Sequence, residues 1–147
     1  MKIFLQDSDT SAVVEIDESA VLADSIALAE DEELWEEDAD ETLARGATAA
    51  QLARRGLHRG RHRVDVRVHY NGDERERRFA PGTTIERVHR WVVGHDGFNL
   101  NPADAGDLVL RETGSTDELD VGAHVGRLAG RDHKLDLDLV VADRFAG

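Results

Sequence analysis

The chain has no cysteine among its 147 residues. That excludes disulfides, thiolate nucleophiles and cysteine-based metal sites. No apolar run approaches the roughly 20 residues that a membrane-spanning helix needs, and Met1-Lys2-Ile3-Phe4-Leu5 is too short for a signal peptide. The expectation is a soluble, cytoplasmic protein. Lysine is scarce: Lys2 and Lys134 are the only side-chain amines, against 16 arginines. Positive charge is nearly missing from the first third. Residues 1–50 hold 15 Asp/Glu against Lys2 and Arg45, whereas residues 51–147 hold 16 of each sign, so the whole net charge of −13 sits at the front. Such a front end repels nucleic acid and anionic membranes, so neither is expected as a partner. The acidic stretch 30–41 reads as a solvated face or loop. Leu34 and Trp35 inside it argue against pure disorder.

What is present is a pattern that occurs twice. In the second half, Val64, Val66, Val68 and Tyr70 alternate with polar residues, and Asn71-Gly72 follows. That pair fits a two-residue type I′ hairpin turn. Residues 73–79 return as a very polar strand anchored by Phe79, and Pro81-Gly82 breaks it. Thr83-Thr84-Ile85-Glu86 reads as a capping box. It opens a helix whose stripe is Ile85, Val88 and Val92, with Trp91 beside it, ended by Gly94 or Gly97. A loop with Asn101-Pro102, a strand at Leu108 and Leu110, another at Leu119, and a helical turn at Val125 and Leu128 follow. Leu135, Leu137, Leu139 and Val141 then alternate as a strand with one apolar face.

The first half runs the same way. Ile3 and Leu5, then Val14 and Ile16, predict two strands. Ser19 predicts a cap for a helix with Leu22, Ile26 and Ala29 on one face. Short strands are expected at 34–36 and 41–43, and Thr48-Ala49-Ala50-Gln51 is a capping box whose helical turn Leu52 and Leu57 would anchor. The pattern then needs a closing strand after Gly60, and 63–70 is the candidate. That strand already opens the second half. Either it is shared between two sheets or the first domain, 1–62, is incomplete beside the second, 63–147.

No constellation argues for an enzyme. His58 and His62 are four apart, but a glycine intervenes and no carboxylate motif accompanies them, so no metal site is expected. Gly56-Leu57-His58-Arg59-Gly60 lacks the lysine of a phosphate loop and reads as a turn. Arg54, Arg55, Arg59, Arg61 and Arg63, with Arg67 beyond, form a basic cluster. Given the net charge, it reads better as a link contacting the acidic first domain than as a nucleic-acid surface.

A β-hairpin, a helix, further strands and a glycine-ended tail resemble ubiquitin, as does the opening Met1-Lys2-Ile3-Phe4. Two such units in series resemble the interferon-induced tandem modifier of vertebrates. More closely, Trp35-Glu36-Glu37-Asp38 and Val68-His69-Tyr70-Asn71-Gly72 make the chain similar to the bacterial two-domain ubiquitin-like modifiers of antiphage operons, the BilA type. The resemblance implies an α+β fold of two tandem β-grasp domains, each a mixed sheet packed on one helix. It implies a non-catalytic modifier without cofactor. An E1-like enzyme would adenylate the Gly147 carboxylate with ATP, and E1 and E2-like thioesters would carry it into an isopeptide bond on a target, phage structural proteins among them. A JAB-type protease would reverse the bond. Asp143, Arg144, Phe145 and Ala146 would be the tail these enzymes read, with Ala146 where ubiquitin has glycine. A frayed end can also finish in glycine. The alternative is a β-grasp module that binds or assembles without covalent chemistry, including self-assembly through open sheet edges.

Overall fold

A computed structural model describes residues 1–142. It contains two four-stranded mixed sheets built to one plan. In the first, β1 (Lys2–Gln6) pairs antiparallel with β2 (Ser11–Glu15) and parallel with β4 (Gly56–Gly60), which pairs antiparallel with β3 (Glu33–Glu36), giving the order β2-β1-β4-β3. In the second, β5 (Val64–Tyr70) pairs antiparallel with β6 (Asp73–Phe79) and parallel with β8 (Lys134–Val141). The last pairs antiparallel with β7 (Leu108–Glu112), and the order is β6-β5-β8-β7. The repeat extends to small features. An isolated bridge joins the residue before the first helix to the residue before a later short one in both halves, Val21 to Thr48 and Thr84 to His124.

The second core follows from the alternation. Val64, Val66, Val68, Leu135, Leu137 and Leu139 point to one face and meet Ile85, Val88 and Val92 of α2 (Ile85–Val93). The Thr84 hydroxyl caps α2 by accepting from the Arg87 amide, so the box read from Glu86 is a single cap one residue later. Asn71 and Gly72 have φ of 55° and 86°, the positive pair a type I′ turn requires. Asn101 and Pro102 do not form a plain loop. Asn101 caps a single turn, α3 (Pro102–Ala105), with the proline in the first turn, where no N–H is missed.

The first core is smaller. Ile3, Ile16, Leu22, Ile26, Leu34, Ala49 and Leu57 form it. Here the structure corrects the sequence reading. The helix α1 (Leu22–Ser25) is one turn, not a run through Ala29, because Ala27 takes φ 53° and the Leu28 amide bonds back to the Ala23 carbonyl. Ser19 does not cap it; its hydroxyl and amide bond Asp17. Residues 41–43 and Leu119 are not strands. Each region gives one backbone bond to its neighbour, Leu43 N–H to the Leu34 carbonyl and Leu119 N–H to the Leu110 carbonyl. The expected shared strand is overturned. Gly56–Gly60, read as a turn, is β4 and closes the first sheet, while β5 belongs to the second sheet alone. Leu57 therefore serves the first core from a strand rather than from a helical turn.

Three further short helical pieces lie among the described residues: a 3₁₀ turn at Ala49–Gln51, α4 (Val125–Ala129) and a 3₁₀ turn at Gly130–Asp132. No helix among the described residues is long and apolar enough to cross a membrane.

Candidate functional site

Residues 79–85 include the turn Pro81-Gly82, yet all seven are buried. They are covered by the first domain, where the chain leaves β3. The Asp38 amide bonds the Gly82 carbonyl at 3.1 Å, and the Asp38 carboxylate accepts from the Thr84 amide at 2.8 Å and from its hydroxyl at 3.0 Å. An acid of the first domain thus helps satisfy the N-terminus of the second domain's main helix, where negative charge is favoured. Arg87 of that helix returns two bonds, to the Asp38 carbonyl and to the Asp40 carboxylate. The Arg87 guanidinium holds the Asp40 carboxyl below its ordinary 3.8.

The centre of the seam is a pair of buried histidines, His58 of β4 and His124 before α4, exposed by 1% and 0%. Their Nδ1 atoms are 3.2 Å apart, and His124 Nε2 lies 2.8 Å from Glu37 Oε2. Glu37 accepts, so His124 donates from Nε2. In the neutral ring its Nδ1 is then the acceptor for the His58 Nδ1–H. Burial, and after it the neighbouring His124, push His58 from 6.5 down to about 3. His58 is therefore a neutral interior group. The close approach depends on Gly126: a Cβ there would lie 2.6 Å from His58 Nε2 and 2.6 Å from Pro81 Cβ. Trp35, of the acidic stretch, is buried with its indole N–H unpartnered among the described residues.

The basic cluster lies where a link would lie. Arg54 reaches Glu37 and Asp38, Arg59 reaches Asp7 and Glu32, Arg61 reaches Asp31 and Glu32, and Arg63 reaches the Asp40 carbonyl and Glu41. The cluster thus pairs with part of the acid-rich front, while Arg67 pairs with Glu76 within the second sheet. A cavity of about 380 Å³ beside the seam carries both signs, among them Asp7, Asp9, Glu32, Arg59 and Arg131. Among the described residues no group of three His, Cys, Asp or Glu could hold a metal. His58 and His62, singled out by spacing, do not act together: His62 packs at a tilt against His133, with ring centroids 4.6 Å apart. The sequence reading missed the His58–His124–Glu37 set, whose members are far apart in the chain and follow no local pattern.

Asp143, Arg144, Phe145, Ala146 and Gly147, expected to carry the function, lie outside the described residues. What is described is their approach. Leu137 and Leu139 anchor β8 between β5 and β7, and the Ala142 amide bonds the Asp107 carbonyl at 2.8 Å.

Comparison with known proteins places these observations. A family model described as BilA ubiquitin-like domain 2 matches residues 65–142, more than half of the chain. Among solved structures, a ubiquitin of Caldiarchaeum subterraneum is similar at 16% identity, over 57% of this chain and 99% of that one, with a TM-score of 0.42. No curated protein matches the chain. The matched segment takes in all four strands of the second sheet and the helix packed on them, and the chain belongs to the BilA ubiquitin-like family.

Proposed function

We propose that this chain is a non-catalytic, cytoplasmic protein modifier joined to its targets through Gly147, in bacterial defence against phage. The observation that carries the reading is the position of β8. It is the inner parallel strand of a domain in a ubiquitin-like family, and it leads directly to residues 143–147. A reacting carboxylate then stands a few residues beyond a rigid sheet. Asp143 to Ala146 are the residues that an activating enzyme reads. In the first step a Gly147 carboxylate oxygen attacks the α-phosphate of ATP and pyrophosphate leaves. A cysteine of the E1-like enzyme then displaces AMP to form a thioester, and exchange passes the acyl group to an E2-like cysteine. A target amine releases that thiol as the amide forms, and a JAB-type metalloprotease hydrolyses the product. Apart from the Gly147 carboxylate the chain supplies no group to these steps, and with no cysteine it offers no thiol for the thioesters.

The test is incubation of the full chain with the E1-like enzyme and ATP, reading adenylate and thioester by mass. Deletion of Gly147 is expected to abolish both, and Gly147→Val to block them by placing a branched side chain at the reacting residue. Thioester formation that survives the deletion refutes the proposal.

A further inference from the structure

The outer strand β6 has two charged faces that differ in kind. Glu74, Glu76 and Arg78 point away from α2, and each meets a polar partner on the neighbouring strand: the His69 ring at 3.6 Å, Arg67 at 3.1 Å and Asp65 at 3.1 Å. Arg75 and Arg77 share the other face with Phe79, which enters the core. Among the described residues neither has a carboxylate within 4 Å. Each guanidinium carbon instead lies over a ring, Arg75 over Phe98 at 4.7 Å and Arg77 over Phe79 at 4.8 Å from the centroid. Arg75 spends two donors on backbone carbonyls, Nε to Gly97 at 3.3 Å and one terminal N–H to Glu74 at 2.8 Å, and its remaining donors, with those of Arg77, can still take a carboxylate. Arg77 borders a cavity of about 230 Å³ whose other walls include Arg87, Arg90, Trp91, His95 and Asp96. Among the described residues Arg90 has only an exposed 3.7 Å pair with Glu86.

The backbone beside this cavity is open. With a two-residue turn at Asn71-Gly72, Tyr70 and Asp73 form a hydrogen-bonded pair, and alternation makes Arg75, Arg77 and Phe79 the residues bonded to β5. The amides and carbonyls of Glu74, Glu76 and Arg78 therefore face outward. The Arg75 guanidinium covers the Glu74 carbonyl at 2.8 Å. Among the described residues, Glu76 and Arg78 remain as a free edge.

We infer that the groove between β6 and α2 binds an extended acidic segment of a partner protein, added as a strand on Glu76 and Arg78 with its carboxylates on Arg75, Arg77 and Arg90. Charged edge strands commonly serve only to discourage pairing. On that reading both faces would be balanced alike, whereas here only the face toward α2 has unmatched cations. The free backbone edge selects a polypeptide over a nucleic acid or a phosphate, which offer no strand to pair. A second copy is the poorer occupant because the acids along its domain seam are engaged. Glu36 accepts from the Ala53 and Arg54 amides, Glu37 from His124, Asp38 from Thr84, Asp40 from Arg87, and Asp31 from Arg61. The Leu34 carbonyl on the outer side of β3 is taken by Leu43.

The probe is a capped peptide alternating threonine and glutamate over seven residues, titrated into the isotope-labelled full chain, with a threonine–lysine peptide as control. The expected result is saturable shifts at the Glu76 and Arg78 amides and the Trp91 indole, with slowed exchange of those two amides, from the acidic peptide alone. Arg77→Glu is expected to weaken binding at least about tenfold, equivalent to about 1.4 kcal/mol. Arg90→Glu, on the helix side and clear of the sheet, reads the same groove should the first variant not fold. Methylating alternate peptide nitrogens is expected to abolish binding, as it removes the strand donors. Equal shifts from both peptides, shifts that map outside the groove, or an affinity indifferent to both substitutions would overturn the inference. Self-association lost in Arg77→Glu, without peptide binding, would overturn it in favour of a second copy. None of these readouts requires activation of Gly147.

Discussion

Protonating His58 is the perturbation that best tests the seam. Unfolded, this imidazole titrates near its ordinary 6.5; folded, burial and His124 hold it to about 3. Between those values the unfolded chain binds a proton that the folded chain does not. Stability therefore rises with pH across the window. It is fully present above 6.5 and drains away as pH falls toward 3. The whole difference corresponds to about 5 kcal/mol, and the part already lost at pH 5 relative to pH 7.5 to about 2 kcal/mol. The groups that face or act on His58 are His124, Asp7 and Arg127, with Glu37 behind His124. Displaced carboxylates do not obscure the window, because Asp7, Asp17, Asp31 and Asp40 are all held below 3.8 and lose their contribution under about pH 4. The assay is urea unfolding at constant ionic strength from pH 7.5 to 5, in wild type and His58→Phe. The phenyl ring keeps the bulk and removes the titration, so the readout is the pH slope rather than the absolute stability. A wild-type loss under about 0.5 kcal/mol, within the scatter of surface substitutions, refutes the reasoning. So does a His58→Phe slope equal to that of wild type.

Two other perturbations probe the packing. Gly126→Ala places a methyl group 2.6 Å from His58 Nε2 and Pro81 Cβ, and is expected to cost about 1–3 kcal/mol by overpacking, read by thermal unfolding. An unchanged melting temperature would mean that the two domains are not held against each other there. Leu137→Ala removes a fully buried side chain from the layer beneath α2 and is expected to cost about 2–5 kcal/mol in urea unfolding, against under 0.5 kcal/mol for the exposed Val141→Ala.

Much of the second domain was legible because its signals are local. The alternation of β5 and β8, the Asn71-Gly72 turn and the α2 stripe each lie within a few residues, and each matches the structure. The first domain was harder to read because its elements are short and its core is small. One turn of helix around Leu22 cannot establish a period, and Ala27 adopts a left-handed conformation without the glycine that would have signalled it. The largest misreading, β4, has a physical cause. A strand with glycines at both ends and only Leu57 as an aliphatic looks like a turn. It is a strand because Leu57 fills the first core while His58 is covered by the other domain.

From composition and pattern alone the chain determined its charge asymmetry, the duplicated plan, the helix-facing side of β8 and the absence of thiol chemistry, since these depend on residue type and short spacing. Tertiary structure decided how the first sheet closes, that the two domains meet at His58, His124 and Glu37, and that Arg75 and Arg77 lie unmatched beside an open edge. Those outcomes depend on which distant segments come into contact. Burial turns a histidine into a neutral interior group, and a carboxylate into a helix cap, only once the covering domain is in place.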